Sequence, residues 1–193
     1  MDPKATAWHY LQSAREQVLW KVEGLSERDQ RMPLTPTGTN LLGVVKHLAG
    51  VEAEYFGTCL GRPWPEPMAF WADDSQPNDD MWATADESPE QILDLYRRVT
   101  AFADETIEPL PLDAPAHVPW WRDSETDLHH LLVHMGLETA RHAGHLDILR
   151  EQLDGRRGWS PQHPNLPEGG DEWWAAYVQR LRDIAEASGE GSP

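Results

Sequence analysis

Glu138, His142 and His145 carry side chains that bind metals or move protons, at spacings of four and three residues. Each residue turns about 100° around an α-helix, so steps of four and seven return within about 40° and 20° of the start. All three side chains therefore emerge near one helix face. That face overlaps an apolar stripe, because Met135, Thr139 and Leu146 surround His142. Glu138 is thereby placed at the edge of a core, where a carboxylate is costly unless it has a partner such as a metal ion or an arginine. His47 poses the same question in an earlier segment, three residues after Val44 and four before Val51.

Two donors at i and i+4 on one helix, with a third from a facing helix, make a three-point site inside a bundle. Two imidazoles and one carboxylate leave a four-coordinate Zn²⁺ with one open position, the layout of a catalytic centre. The same set suits non-haem iron or nickel. Spacing alone leaves competitors: His130 and His134 are four apart, and His134 is four before Glu138. The His-Glu-x-x-His pattern of zinc peptidases is absent.

The elements that must carry these residues are helices. Apolar residues recur at helical spacing over 5–24 (Trp8, Leu11, Val18, Val22) and 40–59 (Leu41, Val44, Leu48, Val51, Tyr55). A third helix is expected over 88–107, opened by Ser88-Pro89-Glu90-Gln91, which combines a cap, a proline at the first helical position and a capping-box glutamine. A fourth is expected over 124–153, with Gly155 as its stop, and a fifth over 171–187. Proline- and tryptophan-rich loops fill 61–86, 109–121 and 158–170, and no alternating pattern lasts long enough to build a sheet. The expected class is all-α: a four-helix bundle with long Pro/Trp-rich loops and an extra C-terminal helix, one domain over 1–187 with a frayed tail at 188–193.

Composition sets the outer limits. The chain has 193 residues, with 16 Lys and Arg against 33 Asp and Glu, a formal charge of −17. Such a chain repels phosphate backbones and anionic lipid, which argues against nucleic-acid and membrane partners. No apolar run is long enough to span a bilayer, and the N-terminus lacks a secretory pattern, so a cytoplasmic address is expected. The single cysteine, Cys59, excludes an intramolecular disulfide and a cysteine-based zinc knuckle.

Two stretches are distinctive: PTGTNLLGVVKHLAGVE at 36–52 and GLETARHAGHLDILRE at 136–151. In this order they resemble the DinB superfamily, most nearly its actinobacterial branch related to the metal-binding domain of mycothiol-dependent maleylpyruvate isomerase. The resemblance implies a DinB-like four-helix bundle holding a divalent metal, Zn²⁺ or Ni²⁺. It implies one ligand from the second helix and a Glu/His pair four apart on the fourth, which carries over to His47, Glu138 and His142. His145 falls where many relatives carry glutamine, and is expected to support a ligand or a bound water from outside the ligand set. Only about 40 residues follow the fourth helix, so the second domain of the isomerases has no counterpart, which puts maleylpyruvate isomerisation in doubt.

The resemblance also implies a thiol co-substrate, mycothiol or another low-molecular-weight thiol. A dication with an open position lowers the pKa of a thiol. The expected function is a metal-dependent, thiol-using S-transferase or isomerase acting on a small electrophile. The alternatives are a metal-dependent hydrolase and a non-catalytic metal- or ligand-binding helical module, such as a stress-associated dimer. A homodimer is the expected assembly, since bundles with an exposed apolar stripe commonly pair. A fourth protein ligand would favour the module, and Glu54, seven residues after His47, is the nearest candidate. Cys59 lies at a helix C-terminus, where the dipole disfavours a thiolate, and is expected to be a small buried side chain. The loop tryptophans are expected chiefly to pin loops onto the bundle, with a substrate mouth as the second reading. At least one of Trp173 and Trp174 is expected on the core. His163, Asp73-Asp74 and Asp79-Asp80 read as solvated loop residues.

Overall fold

A computed structural model describes residues 2–72 and 74–189. Its elements are α1 (Pro3–Val22), α2 (Glu27–Arg31), α3 (Leu41–Tyr55), α4 (Pro89–Ile107), β1 (Pro115–His117), β2 (Glu125–Asp127), α5 (Leu128–Asp154) and α6 (Asp171–Gly189). Each long bundle helix starts where a side chain can satisfy its free N–H groups. Asp2 accepts from the Ala5 amide, Asn40 from Gly43, and Asp127 from His130. Ser88 and Gln91 form a reciprocal capping box. α5 stops at Gly155, whose φ of 76° is a left-handed conformation that a side chain would disfavour.

α1 packs chiefly on α5 and α3 on α4, while α3 also meets α5. The apolar stripes meet in two clusters. One centres on Leu11, Phe56, Ile107, Leu128 and Met135. The other centres on Val18, Leu42, Val45, Tyr96 and Leu146. This is the all-α bundle expected from the sequence. No described helix is long and apolar enough to cross a membrane.

Three features differ from the sequence expectation. The short helix α2 follows its own cap at Ser26, whose side chain accepts from the Asp29 amide. The α4–α5 connection forms a small antiparallel ladder, with Ala116 opposite Thr126. Residues expected to begin the fourth helix at 124 are therefore strand up to the Asp127 cap. Finally, α6 does not join the core, and neither Trp173 nor Trp174 enters either cluster. Trp173 stacks on Tyr177 of its own helix, and Trp174 lies under the Arg157 guanidinium. Val178, Leu181 and Ile184 remain exposed. α6 also continues through Ser188 and Gly189, into the expected tail, whose remainder (190–193) lies outside the described residues.

Candidate functional site

α3 and α5 face each other where His47 looks across at Glu138 and His142. One donor atom from each of the three lies within 4.8 Å of the others. Glu138 Oε1 is 3.4 Å from His47 Nε2 and 3.1 Å from His142 Nε2. The two imidazole rings are 4.9 Å apart, centre to centre. All three side chains are partly buried, with Glu138 the most open at 29% exposure.

His47 is held by Asp80, which is partly buried against it rather than solvated in its loop as the sequence suggests. Asp80 Oδ2 lies 2.6 Å from His47 Nδ1, a hydrogen bond in which the carboxylate is the acceptor. The helix itself builds this contact. Asn40, Gly43 and His47 follow at steps of three and four, so they share a face of α3. Asn40 caps the helix and also donates its side-chain amide to the Met81 carbonyl, 3.1 Å away. Gly43 lets that carbonyl press onto the helix, since a Cβ there would collide with Met81 backbone. The turn Asp79–Met81 is thus clamped to the first turn of α3, and Asp80 reaches down to His47.

With Nδ1 on Asp80, His47 turns Nε2 toward the Glu138 carboxylate, 3.4 Å away, so a divalent ion seated between them would take the Nε2 lone pair in place of a proton. His142 turns Nε2 to the same Glu138 oxygen at 3.1 Å, while its Nδ1 is buried without a hydrogen-bond partner among the described residues. Burial and the neighbouring His47 lower the His142 pKa, which keeps that ring neutral at pH 7. Burial alone would raise the Glu138 pKa, but the two imidazoles outweigh it and hold the carboxyl below its ordinary value. The site therefore offers one carboxylate oxygen and two imidazole nitrogens, a donor set that suits a borderline divalent ion.

The other histidines are placed elsewhere. His145 meets His142 edge-on at 5.3 Å, through a ring contact rather than a hydrogen bond. His134 packs against Tyr55 and Trp121, and His130 against Trp121 and Thr126. His163 is exposed in its loop, as expected. Glu54 is not part of the donor group; it lines a neighbouring cleft with Val51, Tyr55, Trp71 and Trp120. The tryptophans divide between the two expected roles. Trp64 packs edge-on against Phe102, and Trp121 donates to the Tyr55 hydroxyl, both tying loops to helices. Trp71 sits against Gly50, and with Trp120 it also walls the cleft.

Residues 6–155 match the family Mycothiol-S-transferase (MST). The chain belongs to this family. The matched span runs from α1 to the glycine that stops α5, so it contains the whole bundle and all three donors. α6 lies beyond it. Membership in the MST family agrees with the DinB resemblance of the two motif stretches. No curated protein matches the chain.

An MST-family chain invites the question of whether its own cysteine handles sulfur chemistry. Cys59 is buried, and that burial, with the Glu54 carboxylate adding to it, pushes the thiol up to about 11. At pH 7 the thiolate fraction is then about 10⁻⁴. Cys59→Ala is expected to leave any thiol-transfer activity within about twofold, and native Cys59 is expected to alkylate with iodoacetamide far more slowly than in urea. Equal alkylation rates in native and unfolded protein would show that the thiol is accessible and activated.

Proposed function

We propose that this protein is a metal-dependent S-transferase that joins a low-molecular-weight thiol of the mycothiol type to a small electrophile. His47, Glu138 and His142 are its metal ligands. The observation that carries the reading is the convergence of one carboxylate and two imidazoles, with the His47 lone pair fixed toward the shared centre by Asp80. The family match over the same helices supplies the chemistry to look for.

A divalent ion held there, zinc or nickel, supplies a Lewis acid that lowers the pKa of a thiol at the open position. Glu138 contributes the single negative charge of the donor set, so the centre keeps net positive charge and favours an anionic sulfur. Asp80 holds His47 in one tautomer and one orientation. The reaction forms one sulfur–carbon bond. The thiol proton is lost, and the displaced group leaves with its bonding electrons or, for an unsaturated acceptor, the adjacent carbon takes up a proton.

Asp80 provides the first test. Asp80→Asn keeps the shape of the contact but removes the charge that fixes the tautomer. Loss of such a supporting partner costs about 10–100-fold in metal affinity. Zinc competition titration on untagged protein is expected to show that loss for Asp80→Asn, with unchanged helicity by circular dichroism. An unchanged affinity would mean that His47 is not a ligand held by Asp80.

A further inference from the structure

An aromatic cleft lies beside the donors. It is walled by Val51, Glu54, Tyr55, Trp71 and Trp120 and encloses about 380 Å³, within the range of small-molecule sites, roughly 300–1,000 Å³. Val51 and Glu54 lie four and seven residues after His47, which places them about 6 and 10 Å along the same face of α3. Opposite them, His134 lies one turn before Glu138 on α5 and packs on the Tyr55 ring at 4.7 Å. The cleft therefore lies next along α3 from the donor group, on the same face of the helix.

The charge pattern of the cleft is specific. Glu54 is the single carboxylate in its wall, and among the described residues no Lys, Arg or His is a charge partner for it. Burial pushes its carboxyl upward, a desolvation cost that a bound cation would relieve. Around it stand three electron-rich rings. Trp71 is braced on Gly50, where a Cβ would meet its indole at 2.7 Å. Trp120 is anchored by donating its indole N–H to the Tyr55 hydroxyl, 3.1 Å away. Rings that present π faces beside a carboxylate recognise organic ammonium groups. An anion would meet both Glu54 and the field of a chain carrying −17. A neutral apolar ligand would bury the carboxylate with only the Thr58 hydroxyl to offset its charge.

We propose that this cleft is the acceptor subsite and that it takes an organic cation, an ammonium group on an apolar body, with the charge against Glu54 and the body between Trp71 and Trp120. Its role as an acceptor subsite rests on the transferase reading; its preference for cations does not. The metal centre and the cleft then lie side by side along α3, with an anionic sulfur at one and a cationic acceptor at the other.

Benzyltrimethylammonium is the probe, because it has no lone pair with which to bind a metal. Benzyl alcohol is its neutral counterpart. Calorimetric titration of the metal-loaded protein at physiological salt is expected to show at least about tenfold tighter binding of the cation. Glu54→Gln is expected to remove that preference while leaving benzyl alcohol binding and metal content unchanged. Glu90→Gln, which removes the same charge from an exposed position of α4, is expected to keep it. Equal binding of the two probes, or the same effect from both substitutions, would overturn the cation site. Cation binding that persists in a protein without metal-dependent thiol transfer would overturn its role as an acceptor subsite. Thiol transfer without a cation preference would overturn the site alone.

Discussion

Glu138→Ala is expected to lose metal affinity by at least about a hundredfold, and thiol transfer with it. Partners that merely support a ligand are worth about 10–100-fold, so a ligand itself sets a higher floor. Glu138 is the hub of the site: one of its oxygens lies within reach of both His47 and His142. It is also the only negative charge among the three donors, so its removal leaves two neutral imidazoles to hold a dication. Glu138→Gln should fall almost as far, because the amide keeps the shape but not the charge. The bundle should survive both changes, since Glu138 lies outside both apolar clusters. Zinc competition titration, with circular dichroism alongside, separates loss of metal from loss of fold. Near-normal affinity in Glu138→Ala would remove it from the ligand set.

The largest stability effect is expected at Glu52, which is fully buried five residues after His47. Arg15 of α1 grips it with two bonds, 2.8 and 2.5 Å long, and a third guanidinium bond reaches Asp104 of α4 at 2.7 Å. Trp8 donates to the same Asp104 oxygen. Burial pushes the Glu52 carboxyl upward, and the bidentate guanidinium of Arg15 opposes that push. Glu52→Ala leaves Arg15 buried with one partly exposed counter-ion. Breaking such a pair costs about 3–5 kcal/mol, a large share of the roughly 5–15 kcal/mol that holds a typical domain together. Urea unfolding should show this loss as a lower midpoint. The double variant Arg15→Met, Glu52→Leu should recover most of it, because an apolar replacement removes the orphaned charge. A loss below about 1 kcal/mol in Glu52→Ala would mean that the network does not lock α1, α3 and α4 together.

Helical periodicity made part of the donor group legible: Val44, His47 and Val51 share a face, as do Met135, Glu138 and His142. But His130, His134 and His145 compete on spacing, and the three donors stand out only through the resemblance carried by the stretches 36–52 and 136–151. Asp80 was not legible. Its position depends on how a long, irregular loop returns to α3, which no local pattern encodes. A signal was nonetheless present in Asn40 and Gly43, a cap and a side-chain-free surface on the His47 face that only make sense if backbone packs there. Glu54 was placed correctly on that face, but its role depended on Trp71 and Trp120, which arrive from two different loops. The ladder at β1 and β2 escaped notice because three residues are too few to show alternation. α6 has an amphipathic pattern that implied burial, yet its apolar residues stay in solvent.

The most direct measurement is the rate at which the protein consumes mycothiol in the presence of a general thiol-reactive electrophile, for metal-loaded and metal-stripped samples of the same untagged preparation. The account predicts about one zinc or nickel per chain in the loaded sample. It also predicts a rate at least about a hundredfold above that of the stripped sample, restored when metal is returned. Equal rates with and without metal, or a loaded sample that holds no metal, would contradict it.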